Sequence, residues 1–170
     1  MTLTPYLTLL EALRVSCNLP EFPDPLPSTQ LDLELENGPT VTIDFEEESE
    51  CVEIFSQIGT YSSDQEKEVL KKIAEANFLW TSTAGGTLSA RPEIKTVYFA
   101  YKAPVLSLTG TDFVHLIEKF VEIVHQWQQF LSGNTIDAPI NTITTNSSSI
   151  VKEKEDAAPP TPGSKNIIVG

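Results

Sequence analysis

Residues 75–93 read EANFLWTSTAGGTLSARPE: a helix end, a Gly85-Gly86 turn and a short strand. The helix leading into them is expected over Asp64–Leu79. Ser63-Asp64-Gln65-Glu66 fits a capping box there, serine at the N-cap and glutamate at the third helical position. Val69, Leu70, Ile73, Ala74, Ala76, Phe78 and Leu79 cover more than half of its circumference toward the C-terminal end, with Asn77 the polar exception. A surface helix buries one stripe about 100° wide, so a wider apolar face calls for two burial partners. The chain's own sheet is one, and a second subunit is expected as the other. Gly85 and Gly86 allow positive φ and close backbone approach. From composition alone the stretch reads equally well as a helix stop followed by a loop.

Upstream, Thr4-Pro5 fits a helix start, threonine as N-cap and proline in the first helical position. Tyr6, Leu10, Leu13 and Cys17 then share one face, and Leu3, Leu7 and Leu9 widen it. Pro20, Pro23, Pro25 and Pro27 end that helix and make a stiff, extended connector. Gln30–Glu36 alternates strictly, Leu31, Leu33 and Leu35 against Asp32, Glu34 and Glu36, which is a half-buried strand. Asn37-Gly38 signals a two-residue hairpin turn. Val41, Ile43 and Phe45 alternate again over Thr40–Phe45, and an acidic turn, Glu46 to Glu50, leads to a third strand, Cys51–Ile58. That strand has apolar residues on both faces, Val52, Ile54 and Ile58 against Cys51 and Phe55.

Downstream of the glycine pair, strands are expected at Thr87–Ala90 and Lys95–Tyr101. Thr109-Gly110-Thr111-Asp112 offers a second capping box. Phe113, Leu116, Ile117, Phe120, Val124, Trp127 and Leu131 form the cleanest helical stripe in the chain, ended by Gly133. Beyond it the composition turns to Thr, Asn, Ser and Pro without period, too little apolar surface to offset ordering entropy. The organisation expected is a domain over residues 1–133 and a disordered tail over 134–170. Helix, three strands, helix, two strands and helix make an α+β fold with an antiparallel sheet.

The charge balance, 11 basic against 24 acidic residues, is uneven. Residues 1–80 hold 16 acidic and 4 basic residues. Such a surface repels nucleic-acid phosphates and anionic membranes. No run approaches the roughly 18 apolar residues of a membrane span, and the start lacks the basic region and apolar run of a secretory signal. A cytoplasmic chain with Cys17 and Cys51 as buried thiols is therefore expected. His115 and His125 lie ten residues apart on different faces of one helix and cannot share a metal. Gly85-Gly86 lacks the Lys-Ser/Thr of a phosphate loop, and no Ser or Cys sits in a nucleophile-elbow context. These features imply no catalytic residue, no cofactor and no metal, and speak against an enzyme.

The order α-βββ-α-ββ-α, the Ala-Asn-Phe-Leu…Gly-Gly-Thr-Leu stretch, Leu9-Leu10-Glu11-Ala12-Leu13 in the first helix and the closing helix ending in His-Gln-Trp together resemble the class I type III secretion system effector chaperones, over about residues 3–131. The resemblance implies a twisted antiparallel sheet flanked by helices, a bacterial cytoplasmic homodimer, and binding of the N-terminal segments of secreted effectors. It implies a dimer interface at Leu70, Ile73, Ala74, Asn77, Phe78 and Leu88. It implies an effector-binding groove at Leu7, Leu10, Leu13, Leu33, Ile43 and Phe55, with cargo held in extended form and paired to a sheet edge. The secretion ATPase or sorting platform is a candidate further partner, and a second chaperone subunit in place of a second copy stays open. The runner-up reading is a dimeric adaptor that binds a folded protein. The long tail departs from the short ending usual in that family.

Overall fold

In the computed structural model, residues 3–23, 26, 28–35 and 38–133 are described. They form α1 (Thr4–Ser16), β1 (Leu31–Glu34), β2 (Thr40–Glu46), β3 (Cys51–Thr60), α2 (Glu66–Asn77), β4 (Thr87–Arg91), β5 (Thr96–Pro104) and α3 (Gly110–Leu131). The strands make one antiparallel sheet in the order β1-β2-β3-β5-β4. This is the expected α+β order, α-βββ-α-ββ-α.

Alternation in the sequence becomes a two-faced sheet because successive side chains point to opposite sides. The register aligns Leu33, Val41, Ser56, Phe99 and Leu88 in one row across all five strands. With Leu31, Ile43, Ile54 and Val52 they line the covered face. Ser56 is the polar member; its buried hydroxyl donates to the Thr40 carbonyl at 2.7 Å. The neighbouring row, Asp32, Thr42, Phe55, Ala100 and Thr87, points the other way.

Helices α1 and α3 pack together over the apolar face. Phe113, Ile117, Phe120, Val124 and Trp127 of α3 are all buried, and Phe120 stacks on Phe99 with ring centroids 4.6 Å apart. Burial of each such side chain stabilises by about 1.5–3 kcal/mol. Tyr6 of α1 stacks on Phe45 at 5.3 Å and donates its hydroxyl to the Thr29 carbonyl at 2.6 Å, pinning the end of the proline-rich connector to α1. Burial, and then the charge of Asp44, pushes that phenol well above the usual tyrosine range. The Thr109–Asp112 capping box forms as expected: each residue's side chain accepts from the other's backbone N–H, both at 3.2 Å.

Four local expectations are corrected. Helix α1 starts at Thr4 itself, preceded by Leu3 in helical conformation, so Thr4 is not a side-chain cap. Helix α2 starts at Glu66; Ser63 makes no cap, and instead the Ser62 N–H and hydroxyl both donate to Gln65 Oε1 at 2.9 Å. Cys17 is only half-buried, while Cys51 is buried. The β1–β2 ladder ends at Glu34 opposite Thr40, and Gly38 N–H donates to the Leu35 carbonyl at 3.0 Å. A two-residue Asn37-Gly38 turn would instead set Glu34 opposite Val41 and turn one strand's leucines to the wrong face. Asn37 itself, like the expected tail over 134–170, lies outside the described residues.

Candidate functional site

Helix α2 is where the apolar residues outnumber the chain's own burial sites. Val69, Ile73 and Ala76 turn inward and are buried. Leu70 and Ala74 turn outward and are exposed. The three residues after the helix stand furthest out: Phe78 is 67% exposed, Leu79 70% and Trp80 58%. Leu79 (φ 51) and Trp80 (φ 53) hold a left-handed backbone that bulky residues seldom adopt.

What fixes this connector is polar. Asn77 Nδ2 donates to the Leu88 carbonyl at 2.8 Å, and Leu88 N–H donates to Asn77 Oδ1 at 2.9 Å. The carboxamide thus stands where a neighbouring strand's peptide group would stand, engaging the outer edge of β4 at Leu88. The chain then returns to the sheet through Gly85, at φ 91. At Gly86 a Cβ would come within 2.5 Å of the Phe99 ring and 2.9 Å of the Ala100 carbonyl. Both glycines therefore do what the sequence assigns them: a left-handed turn and a close approach. At the opposite side of the sheet, β1 is the edge strand and pairs with β2 alone among the described strands.

A sequence profile of the Tir chaperone protein (CesT) family matches residues 8–128. The chain belongs to that family. Solved structures agree in fold. This chain is similar to one from the HopA1–SchA chaperone–effector complex, with 12% identity and a TM-score of 0.58 over 78% of this chain and 98% of that one. It is similar to one from the ExsC–ExsE complex, with 16% identity and a TM-score of 0.59 over 77% and 97%. A third likeness is to the heterodimeric ExoU–SpcU complex from the type III secretion system of Pseudomonas aeruginosa, with 16% identity and a TM-score of 0.52 over 72% and 93%. No curated protein sequence matches this chain. Family and fold are thus those of the class I type III secretion chaperones.

Of the six residues that the resemblance assigns to a dimer interface, Leu70, Ala74 and Phe78 are exposed at four-residue spacing, Ile73 and Leu88 are buried within the chain, and Asn77 is engaged with Leu88. The six groove residues do not share one surface. Leu10, Leu13 and Ile43 are interior, Leu33 is half-buried on the covered face, and Leu7 is 39% exposed on α1. Phe55, 41% exposed, points to the opposite face of the sheet, beside Thr42 and Ala100. Periodicity counts Leu79 within the helical stripe, whereas the helix ends at Asn77 and leaves Leu79 and Trp80 exposed. The missed signal was adjacency: three large apolar residues in a row cannot all enter one core from one helix.

The open face is polar and stapled. Lys102 pairs with Glu46 and, at 2.8 Å, with Glu53, tying the β2–β3 turn to β5. Hydrogen bonds from Lys102, then Ser49, hold the Glu46 carboxyl below the usual range. His115 is exposed and His125 half-buried. Among the described residues no three His, Cys, Asp or Glu side chains converge on a point that could hold a metal, and no helix is long and apolar enough to cross a membrane.

Proposed function

We propose that this chain is a type III secretion chaperone that acts as a homodimer, binds the N-terminal segment of effector proteins in extended form, keeps it soluble and secretion-competent, and delivers it to the secretion apparatus. The observation that carries the proposal is the family match over residues 8–128. The physical features agree with it. Cargo held as an extended segment adds a strand at the outer edge of β1 and lays apolar side chains toward Leu33 and Leu7. The β4 edge is a poorer site, because Asn77 already holds Leu88. The dimer forms through Leu70, Ala74 and Phe78, apolar residues that the single chain leaves in water. Binding involves no turnover and no ATP; the secretion ATPase or sorting platform receives the loaded complex in the bacterial cytoplasm.

The 16 acidic and 4 basic residues of positions 1–80 favour a neutral or basic cargo and keep the complex soluble. Because apolar burial and backbone pairing supply most of the affinity, salt weakens binding only modestly. The test is isothermal titration with a candidate effector's N-terminal segment of roughly a hundred residues, for which apolar burial with coupled ordering predicts a negative heat-capacity change and an unfavourable entropy. A partner that binds only in its folded state contradicts the proposal and favours the adaptor reading.

A further inference from the structure

Backbone strain and unfinished burial meet in the connector after α2. Leu79 and Trp80 are left-handed, and Ala84 (φ 47) repeats that conformation just before Gly85. In any residue but glycine it crowds Cβ against the following carbonyl. Between them Thr83 is fully buried, and its hydroxyl has no hydrogen-bond partner among the described residues. Strain of this kind persists where the surroundings enforce it. Here the side chains of Phe78, Leu79 and Trp80 stand in water, so packing of those side chains does not enforce it.

The helix itself points to the relaxed alternative. Leu70 and Ala74 are exposed at a spacing of four, and Phe78 is the next residue in that series. Helix α2 breaks at that residue, which is extended with ψ 112. Continued by one turn, the helix would align all three side chains on one stripe. The stripe is self-complementary. About a two-fold axis at Ala74, Leu70 of one copy meets the partner's Phe78, and the small central alanine lets the helices approach closely.

We propose that pairing of two copies rewinds this connector: Phe78, Leu79 and Trp80 leave their present backbone conformations and continue α2 in the dimer. The inference rests on the dimer reading above and adds a folding step to it. The Asn77 carboxamide reaches Leu88 through a side chain, so α2 can lengthen without breaking those bonds.

The test compares Leu79→Ala with Leu79→Gly. Both remove the same leucine contacts from an exposed position. Glycine suits the left-handed free chain, and alanine suits the lengthened helix. If the connector rewinds, the glycine variant's dimer dissociation constant, measured by analytical ultracentrifugation, exceeds the alanine variant's by about tenfold or more. Equal constants, or a reversed order, overturn the inference and leave the dimer standing. A wild-type chain that stays monomeric overturns the dimer reading and this inference together. Hydrogen exchange on the wild-type chain reads the same step without mutation. Amides of Leu79 and Trp80 should exchange about tenfold more slowly in concentrated than in dilute samples, by the protection that helix formation confers; those of Thr81 and Ser82 are already bonded, to Phe78 and Ala76. Unchanged exchange in a demonstrated dimer overturns the inference.

Discussion

Helices α2 and α3 are both amphipathic, yet the chain finishes only one of them. Along α3, Phe113, Ile117, Phe120, Val124 and Trp127 all enter the core, and the capping box and the C-terminal stop at Gly133 close its ends. Along α2, Val69, Ile73 and Ala76 go inward while Leu70, Ala74 and Phe78 face water, and the residues beyond the helix adopt left-handed backbone. The difference separates two uses of apolar surface. A stripe matched in width to its own sheet is a core element; a wider one leaves apolar side chains in water once its own core is filled.

That contrast breaks first at α3. Phe120→Ala removes a fully buried ring stacked on Phe99 and should cost about 3–5 kcal/mol in a urea melt. Asn77→Ala comes next. It leaves the Leu88 N–H and carbonyl without their partner and should cost about 1–3 kcal/mol in the same melt. Thr109→Ala removes one half of the α3 capping box, for about 1 kcal/mol. Phe78→Ala, assayed at a dilution where any dimer has dissociated, should change the melt by less than about 0.5 kcal/mol, since its ring is already in water. Equal costs for Phe120→Ala and Phe78→Ala at that dilution would erase the distinction between the helices.

Acid sharpens the comparison at the start of α3. Hydrogen bonds from the Thr109 hydroxyl and N–H hold the Asp112 carboxyl below the usual aspartate range. A group lowered by folding stabilises the folded state above its unfolded pKa and loses that contribution as pH falls through the folded value. The α3 cap should therefore be intact at neutral pH and loosen only below about pH 4. Amide exchange at Asp112 and Phe113 followed over pH checks the sign; loosening that begins near neutrality would contradict it.

Element order, strand faces and the α3 cap were legible because each depends on local pattern. The β1–β2 register was legible too, but in the leucines and not in the turn. Leu33 and Val41 must share a face, which requires an odd-numbered loop, and that burial outweighs the two-residue preference of Asn37-Gly38. The start of α2 was misplaced because Gln65, three residues on, offers its side chain to Ser62 as readily as Ser63 offers a cap. Which of the residues assigned to interface and groove stand exposed was legible only in part. Leu10, Leu13 and Ile43 have the same periodic signature as groove residues, but they lie buried in the core. A period records that a side chain is buried, not what buries it. Leu70, Ala74 and Phe78 stood out because their stripe exceeded what one sheet can cover.

A second copy is the proposed cover for that apolar excess. Light scattering of the full chain at micromolar concentration tests this most directly. The predicted mass is twice 18.7 kDa, falling to one chain in Phe78→Asp with its dilute-solution melt unchanged. A mass of 18.7 kDa for the unaltered chain across that range would contradict the account.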